Sequence, residues 1–161
     1  MSARIFLFGD NIDTDRIIAG KYTKTLDPYE LASHVFEDLD PDFRFEVKPG
    51  DIVIAGTNFG CGSSREQAAL AMKTAGVGLV VATSFARIFF RNAINIGLPL
   101  MEIAEHSIDT LSILTFDLVR GLLRDETQQR EYRTEPLPEF LDTIINSGGL
   151  VPYLLGQGDY V

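Results

Sequence analysis

The chain has 161 residues, of which 45% are hydrophobic, and a formal net charge of -9. Its length fits a single domain, residues 1–161, with a substantial core. The negative charge argues against a nucleic-acid binder and against a polybasic membrane anchor, since both gain affinity from positive surface charge.

The first apolar run, residues 5–8, predicts a strand that ends at Gly9. The following loop, residues 10–16, carries three aspartates, and a solvated turn is its simplest interpretation. An EF-hand would need a glycine at the sixth position and a glutamate at the twelfth, where Asp15 and Lys21 stand, so a calcium site is not expected. No segment has the apolar pattern of a signal peptide or a membrane span, and the sequence therefore predicts a cytoplasmic protein without membrane contact.

Residues 17–25 have no clean hydrophobic period and are predicted to form a loop. Asp27 followed by Pro28 predicts the start of a helix, with Asp27 as its N-cap. His34 is expected to pack or to lie at the surface, because no nucleophile or metal ligand stands at a recognisable spacing from it.

A strand-helix-strand unit follows in the chain. Residues 52–56 and 78–82 are apolar runs typical of buried strands, and the helix predicted over residues 64–75 between them ends at Gly76. A right-handed crossover places the connection after the first strand at the carboxyl edge of the sheet, where small ligands bind.

That connection, residues 58–67, combines glycines with polar side chains. The glycines allow a sharp turn close to a small anion, while Ser63, Ser64 and Arg65 stand where the helix begins, so the segment indicates a carboxylate site. Ser63 and Glu66 also fit a capping box, which is a purely structural way to satisfy helix N–H groups. From these residues alone both interpretations stay open.

A second helix is predicted over residues 85–96, beginning at Ser84, and a further strand over residues 98–103. Three polar residues of that helix, Arg87, Arg91 and Asn92, share one face. One polar face is usual on a helix, so this face is interpreted as ordinary solvent contact.

The last third of the chain predicts antiparallel strands within residues 111–123, with a turn at Arg120 and Gly121. Residues 124–138 are charged and irregular and predict an exposed connection. A closing helix is predicted over residues 139–146 and ends before Gly148. The class predicted from these elements is α/β with mixed strands.

Three stretches carry a resemblance to a known family: GDNIDTD at residues 9–15, NFGCGSSRE at 58–66 and SFARIFFRNAINIGLP at 84–99. Together they resemble the small subunits of 3-isopropylmalate dehydratase, the separate counterpart of the swivelling domain of aconitase. The resemblance extends over nearly the whole chain. It implies a single β/β/α swivelling domain with a mixed sheet and flanking helices.

The resemblance also implies a hydro-lyase subunit that is active only with a large subunit carrying a 4Fe-4S cluster. The leading reaction is the interconversion of 2-isopropylmalate and 3-isopropylmalate in leucine biosynthesis. The substrate class that the resemblance implies is a small dicarboxylic or tricarboxylic hydroxy acid. In that family the cluster's open iron acts as a Lewis acid, and a serine of the swivelling domain removes a proton from carbon. Cys61 is the single cysteine, so this chain cannot hold a cluster by several thiolates, and Cys61 is expected to pack.

Matched residue by residue, Ser63 takes the position of the catalytic base. Its alkoxide would be stabilised by N–H donors at the helix start beside Arg65. Catalysis is favoured over capping for Ser63 because Ser64 can cap the same helix instead. No metal ligand is expected. The resemblance implies substrate contacts from Thr23, Lys24, Gly62, Ser64 and Arg65, with Asp13 and Asp15 positioning the residues that touch substrate.

Lys24 departs from the isopropylmalate pattern, which is apolar in the segment 22–25, and stands where homoaconitate enzymes have an arginine. A lysine there can pair with an extra carboxylate or point to solvent. Homoaconitate, citrate-like and other alkylmalate substrates therefore remain alternatives. Other classes are an RNA-binding or regulatory module, which the acidity opposes, and a free-standing anion-binding domain. A homo-oligomer of the isolated chain is also possible.

Overall fold

A parallel sheet of four strands organises the computed structural model, which describes residues 3–157. Neighbouring strands pair in chain order and all pairs are parallel. The strands are β1 (Ile5–Leu7), β2 (Asp51–Ala55), β3 (Val77–Ala82) and β4 (Leu100–Glu102). Because every pair is parallel, the carboxyl ends of these strands meet at one edge of the sheet.

Seven helices connect or follow these strands within the described residues. Three short helices lie between β1 and β2, α4 joins β2 to β3, α5 joins β3 to β4, and the last two close the chain. Their bounds are α1 (Thr14–Ile17), α2 (Pro28–Ala32), α3 (Phe43–Glu46), α4 (Glu66–Ala75), α5 (Arg87–Ile96), α6 (Glu139–Asn146) and α7 (Leu150–Gly156). No helix over residues 3–157 has the length and apolar character that a membrane crossing requires.

The parallel sheet is covered on both faces. Side chains of a strand alternate between faces, and in β2 Val53 belongs to one buried apolar cluster while Ile54 belongs to the other. The first cluster includes Ala68 and Met72 of α4, and the second includes Ile145 of α6. The continuous apolar runs noted in the sequence follow from this double coverage.

Three further strands form a separate antiparallel sheet: β5 (Leu114–Asp117), β6 (Leu122–Asp125) and β7 (Arg130–Arg133). The α/β class and the predicted hairpin at Arg120 and Gly121 are confirmed, with parallel and antiparallel strands in different sheets. The prediction that residues 124–138 form an exposed connection is wrong, since this segment contains the end of β6 and all of β7. The apolar pattern typical of a strand is missing here because β7 is a largely exposed edge strand with charged side chains.

Buried Asp125 explains how this polar region is ordered. Its carboxylate accepts hydrogen bonds from the Ser112 hydroxyl at 2.5 Å and from the backbone N–H groups of Thr127 and Gln128 at 3.0 Å. These bonds hold the turn between β6 and β7, so a residue that the sequence assigns to an exposed connection lies in the interior.

The start of α2 is confirmed, because the Asp27 carboxylate accepts a hydrogen bond of 2.9 Å from the Tyr29 backbone N–H. His34 also packs as expected, with its ring stacked on Tyr22 at 3.6 Å between centroids. The loop predicted over residues 17–25 contains a short 3-10 helix, Gly20–Tyr22.

Helices α4 and α5 both begin two residues after their predicted starts, at Glu66 and Arg87. Their N-cap positions are Arg65 and Ala86, and neither side chain makes a capping hydrogen bond. The capping interpretations of Ser63 and Ser64 are therefore wrong. The residues before each helix instead form extended loops that bond to one another.

Candidate functional site

Three loops continue past the carboxyl edge of the sheet and remain in contact. We name them the first loop (residues 9–13, after β1), the central loop (residues 56–65, after β2) and the third loop (residues 83–86, after β3). The central loop lies between the others, because the Gly60 N–H donates to the Ile12 carbonyl at 2.7 Å and the Phe59 N–H to the Ser84 carbonyl at 3.0 Å. The predicted position of residues 58–67 at this edge is confirmed.

Polar side chains of the first and third loops hold the central loop in place. The Asp10 carboxylate accepts from the Thr57 N–H at 2.7 Å, and the Ser84 hydroxyl accepts from the Asn58 N–H at 2.8 Å. The Asn58 amide also donates to the Asn11 side-chain oxygen at 3.1 Å. Ser84 thus anchors a neighbouring loop, which explains why it does not begin α5.

Gly60 presses the central loop against α5. Its φ is +78°, and a Cβ built on it would lie 2.2 Å from Cγ of Phe89, so no larger residue fits without movement. Gly62 also has a positive φ, +90°, but a Cβ there would lie no closer than 3.5 Å to Asp13. A glycine is therefore needed at position 60 because of both its positive φ and its close approach to Phe89. At position 62 the positive φ is the only reason.

Ser63 is exposed and is held through Thr14. The buried Thr14 hydroxyl donates to the Ser63 carbonyl at 3.0 Å and lies 3.3 Å from the Ser63 hydroxyl. Since the one hydroxyl hydrogen of Thr14 goes to the carbonyl, the Ser63 hydroxyl is the donor in the second contact. Thr14 lay within the motif of residues 9–15 but was not singled out from the sequence.

Arg65, at the end of the central loop, forms an ion pair with Asp15 in the first turn of α1. Its guanidinium also packs on Gly20, where a Cβ would lie 3.1 Å from Nη2 of Arg65. The Arg65 side chain is 26% exposed and the Asp15 side chain 59%. The structure thus brings these two sequence-predicted residues together, while their roles toward a substrate stay predictions.

A cavity of about 530 Å³ opens beside Ser63, between the central loop and α5. Its volume lies in the range of small-molecule sites. Its lining residues are Gly60, Gly62, Ser63, Ala86, Arg87, Ile88 and Arg91. The sequence treated Arg87 and Arg91 as an ordinary polar face, and their four-residue spacing beside a motif loop is the signal that could have found them.

The other residues expected at the site do not line this cavity. Asp13 caps α1 by accepting from the Arg16 N–H at 2.8 Å, and the Thr23 hydroxyl donates to the Gly20 carbonyl at 2.8 Å. Lys24 and Ser64 are exposed. Of the predicted substrate contacts, only Gly62 lies beside Ser63 in the cavity.

A second cavity of about 530 Å³ lies at the same edge of the sheet, between the ends of β1 and β2 and residues 104–108. Its ionisable residues are Asp10, Glu105 and His106. Burial lowers the pKa of the His106 imidazole, which favours its neutral form. Two carboxylates and a neutral imidazole suit an anionic ligand poorly, and the cavity beside Ser63 is therefore the better carboxylate site.

Within residues 3–157, no three His, Cys, Asp or Glu side chains are grouped so that they could hold a metal ion. Cys61 is half-buried, and its carbonyl accepts from the Thr14 N–H at 2.9 Å. A 4Fe-4S cluster is held mainly by several thiolates, so the donor set of this chain does not fit such a cluster.

Comparison with known proteins gives consistent results. Residues 4–106 match the family described as the aconitase C-terminal domain. The chain is 51% identical to the 3-isopropylmalate dehydratase small subunit of Clostridium beijerinckii over 156 residues, 96% of this chain and 97% of that one. It is 54% identical to small subunit 1 of the same enzyme from Archaeoglobus fulgidus over 151 residues, 93% and 94% of the two chains. A crystal structure of 3-isopropylmalate dehydratase from Methanocaldococcus jannaschii matches with a TM-score of 0.88 and 44% identity, over 98% of this chain and 94% of that one.

Proposed function

Because the chain belongs to the aconitase C-terminal domain family and to its 3-isopropylmalate dehydratase small subunits, we propose that it is the small subunit of that hydro-lyase. It would take part in the interconversion of 2-isopropylmalate and 3-isopropylmalate, a step of leucine biosynthesis. The observation that carries this proposal is the 51% identity to a named small subunit over 96% of the chain. The cavity beside Ser63 supports it, because its size suits a small hydroxy acid.

Ser63 is the proposed proton acceptor. Its side chain is exposed at the cavity and does not cap α4, so its oxygen is available to a substrate. A serine is a poor base at its ordinary pKa, and an alkoxide needs positive charge or N–H donors nearby. The sequence assigned that task to Arg65 and the helix start, but Arg65 is paired with Asp15 and does not line the cavity.

The proposal includes a large subunit that carries the 4Fe-4S cluster, which would supply a Lewis acid when bound. The relatives' designation as small subunits supports such a partner. Since the residues of this chain do not fit the cluster, the large subunit would hold it. We also infer one swivelling domain over residues 1–161, while the cytoplasmic location and a homo-oligomer of the isolated chain stay predictions.

The hypothesis of a homoaconitate, citrate-like or other alkylmalate substrate was based on Lys24. Lys24 is exposed and does not line the cavity, and within residues 3–157 it makes no hydrogen bond or salt bridge. The relatives are also named for isopropylmalate and not for homoaconitate. Neither a tricarboxylic substrate nor an RNA-binding role gains support from the described residues.

Co-expression with a candidate large subunit tests the proposal. After anaerobic cluster reconstitution, the complex should act on 2-isopropylmalate in preference to homoaconitate, citrate and citramalate. No activity on isopropylmalate, with turnover of one of the other acids, would refute the proposed function.

Ser63→Ala should reduce kcat roughly 10²- to 10⁴-fold, since removing a general base has effects of that size. Folding and assembly should stay intact, because the lost hydroxyl makes a single contact with Thr14. Circular dichroism and co-elution with the large subunit check this. Ser147→Ala, in an exposed serine after α6, is the matched control. Full activity of Ser63→Ala would end the assignment of Ser63 as the base.

A further inference from the structure

Resting on the proposed function, we propose that Arg87 and Arg91 together bind one carboxylate of the substrate. They lie one turn apart on the same face of α5 and line the cavity that also holds Ser63. Both side chains are exposed, so a ligand in the cavity can reach their guanidinium groups. This assigns α5 a direct contact with the reacting molecule.

Arg87 and Arg91 differ from most other arginines of the chain in their ion pairing. Within residues 3–157, neither Arg87 nor Arg91 makes a hydrogen bond or a salt bridge through its side chain. Six other arginines pair with carboxylates: Arg4, Arg44, Arg65, Arg120, Arg124 and Arg133. The Arg16 side chain also makes no hydrogen bond or salt bridge in that part of the chain, but it does not line the cavity. In a chain with 23 acidic and 14 basic residues, two free arginines beside Ser63 leave a local positive charge.

The positions of Arg87 and Arg91 on α5 are electrostatically unfavourable without a bound anion. Like charges four residues apart on a helix repel each other. Arg87 is also the first residue of α5, where the helix dipole disfavours a cation, and the first turn of α5 carries no acidic residue. A bound carboxylate would relieve both effects, and two guanidinium groups can hold it by several charge-assisted hydrogen bonds.

Arg87 and Arg91 differ from Arg65, the substrate clamp expected from the resemblance. Arg65 is already neutralised by Asp15, whereas Arg87 and Arg91 keep their full charge toward the cavity. Ile88 lines the same cavity and is 45% exposed, so an apolar wall stands beside the cations. A small acid that carries both a carboxylate and an alkyl branch matches this lining.

Arg87→Gln and Arg91→Gln in the complete complex test the proposal. Each change should raise KM for 2-isopropylmalate about 10- to 100-fold and change kcat less, because a carboxylate contact is present in both ground state and transition state. Arg91→Lys should give an intermediate KM, since lysine keeps the charge but loses the planar fork. Arg120→Gln, in an exposed arginine of the antiparallel sheet, should leave KM unchanged.

The alternative is that these arginines contact the large subunit. In that case the variants would weaken co-elution with the large subunit while KM of the remaining complex stayed at the wild-type value, and the proposal would be overturned. Unchanged KM with normal assembly would overturn it as well. If a glutamine variant does not fold, Arg91→Lys supplies the decisive comparison.

A binding measurement on the isolated chain separates this inference from the proposed function. Titration with 2-isopropylmalate, followed by NMR, should shift the amide signals of α5, and Arg91→Gln should abolish those shifts. Shifts that persist in Arg91→Gln reject the carboxylate contact even if the wild-type complex is active. An inactive wild-type complex with arginine-dependent shifts would instead reject the proposed reaction and keep the contact.

Discussion

Gly60 and Gly62 differ in what surrounds them, although both have positive φ in the central loop. At Gly60 an added Cβ would overlap Phe89, whereas at Gly62 its nearest neighbour is an ordinary contact distance away. The energetic consequences of a larger residue should therefore differ at these two positions.

Gly60→Ala should lower the free energy of unfolding by roughly 2–5 kcal/mol, from left-handed strain together with overpacking. Gly62→Ala should cost only about 1–2 kcal/mol, because strain acts there without overlap. Urea denaturation of both variants measures the difference. Equal losses of stability would show that the contact with Phe89 contributes nothing to the requirement for glycine.

At the same scale, sequence patterns identified Ser63 and the turn around it but not the two arginines beside it. The glycines and hydroxyls are contiguous, so their chemistry is visible in one stretch of sequence. Arg87 lies 24 positions from Ser63, and only the packing of α5 against the central loop brings the two residues to one cavity.

At the level of elements, one lysine joins the ends of three helices. Lys73 lies in the last turn of α4, and its ammonium donates to the Ile96 carbonyl at the end of α5 at 2.6 Å. It also donates to the Gly148 carbonyl after α6 at 2.7 Å. Carbonyls at helix ends lack partners within their own helix, so Lys73 satisfies groups that would otherwise need water.

Lys73→Met should lower the free energy of unfolding by about 1–3 kcal/mol, because it keeps the apolar stem but removes both hydrogen bonds. Chemical denaturation measures this, and Lys48→Met in an exposed lysine should change it by less than about 0.5 kcal/mol. A loss no larger than that of the control would show that water satisfies the two carbonyls equally well.

The same residue predicts a pH dependence. Burial lowers the pKa of Lys73 below its ordinary value of 10.5. Between the folded-state pKa and 10.5, the unfolded protein therefore binds more protons than the folded protein, and the contribution of Lys73 to stability rises with pH. The stability difference between wild type and Lys73→Met should accordingly grow as the pH increases through that window.

Among the elements, the starts of α2 and α6 were predicted correctly, whereas α4 and α5 begin two residues later than predicted. Apolar runs are a local signal, and β1, β2 and β3 were found by them. At the starts of α4 and α5, Ser63 and Ser84 could either cap the helix or form hydrogen bonds with another segment of the chain. The sequence does not show that they do the second. Strand β7 was missed because an edge strand with exposed polar residues lacks that apolar signal.

At the scale of the whole molecule, both apolar clusters share the same parallel sheet. Val53 faces one cluster and Ile54 the other, with exposures of 0% and 2%. Loss of packing on either face should therefore weaken the same structural unit.

Ile54→Ala should lower the free energy of unfolding by about 2–5 kcal/mol, and Val53→Ala by somewhat less because fewer carbon atoms are removed. Both variants should unfold in one transition with the slope of wild type, when followed by circular dichroism and tyrosine fluorescence. Two separate transitions, with each substitution shifting only one of them, would argue against the single domain inferred for residues 1–161.

The sequence by itself determined the α/β class, the strand-helix-strand unit and the position of the central loop at the carboxyl edge of the sheet. These features follow from local periodicity and from the handedness of the crossover, which need no knowledge of distant contacts. It also showed, through three motifs, the family resemblance that the comparisons confirm.

Only the tertiary structure decided which residues share the cavity. It separated Arg65, paired with Asp15, from Arg87 and Arg91, which line the cavity with Ser63. It also showed that Ser63 does not cap α4. The physical reason is that hydrogen bonds between loops far apart in sequence outweigh local capping, and the distance between two loops cannot be read from either one alone.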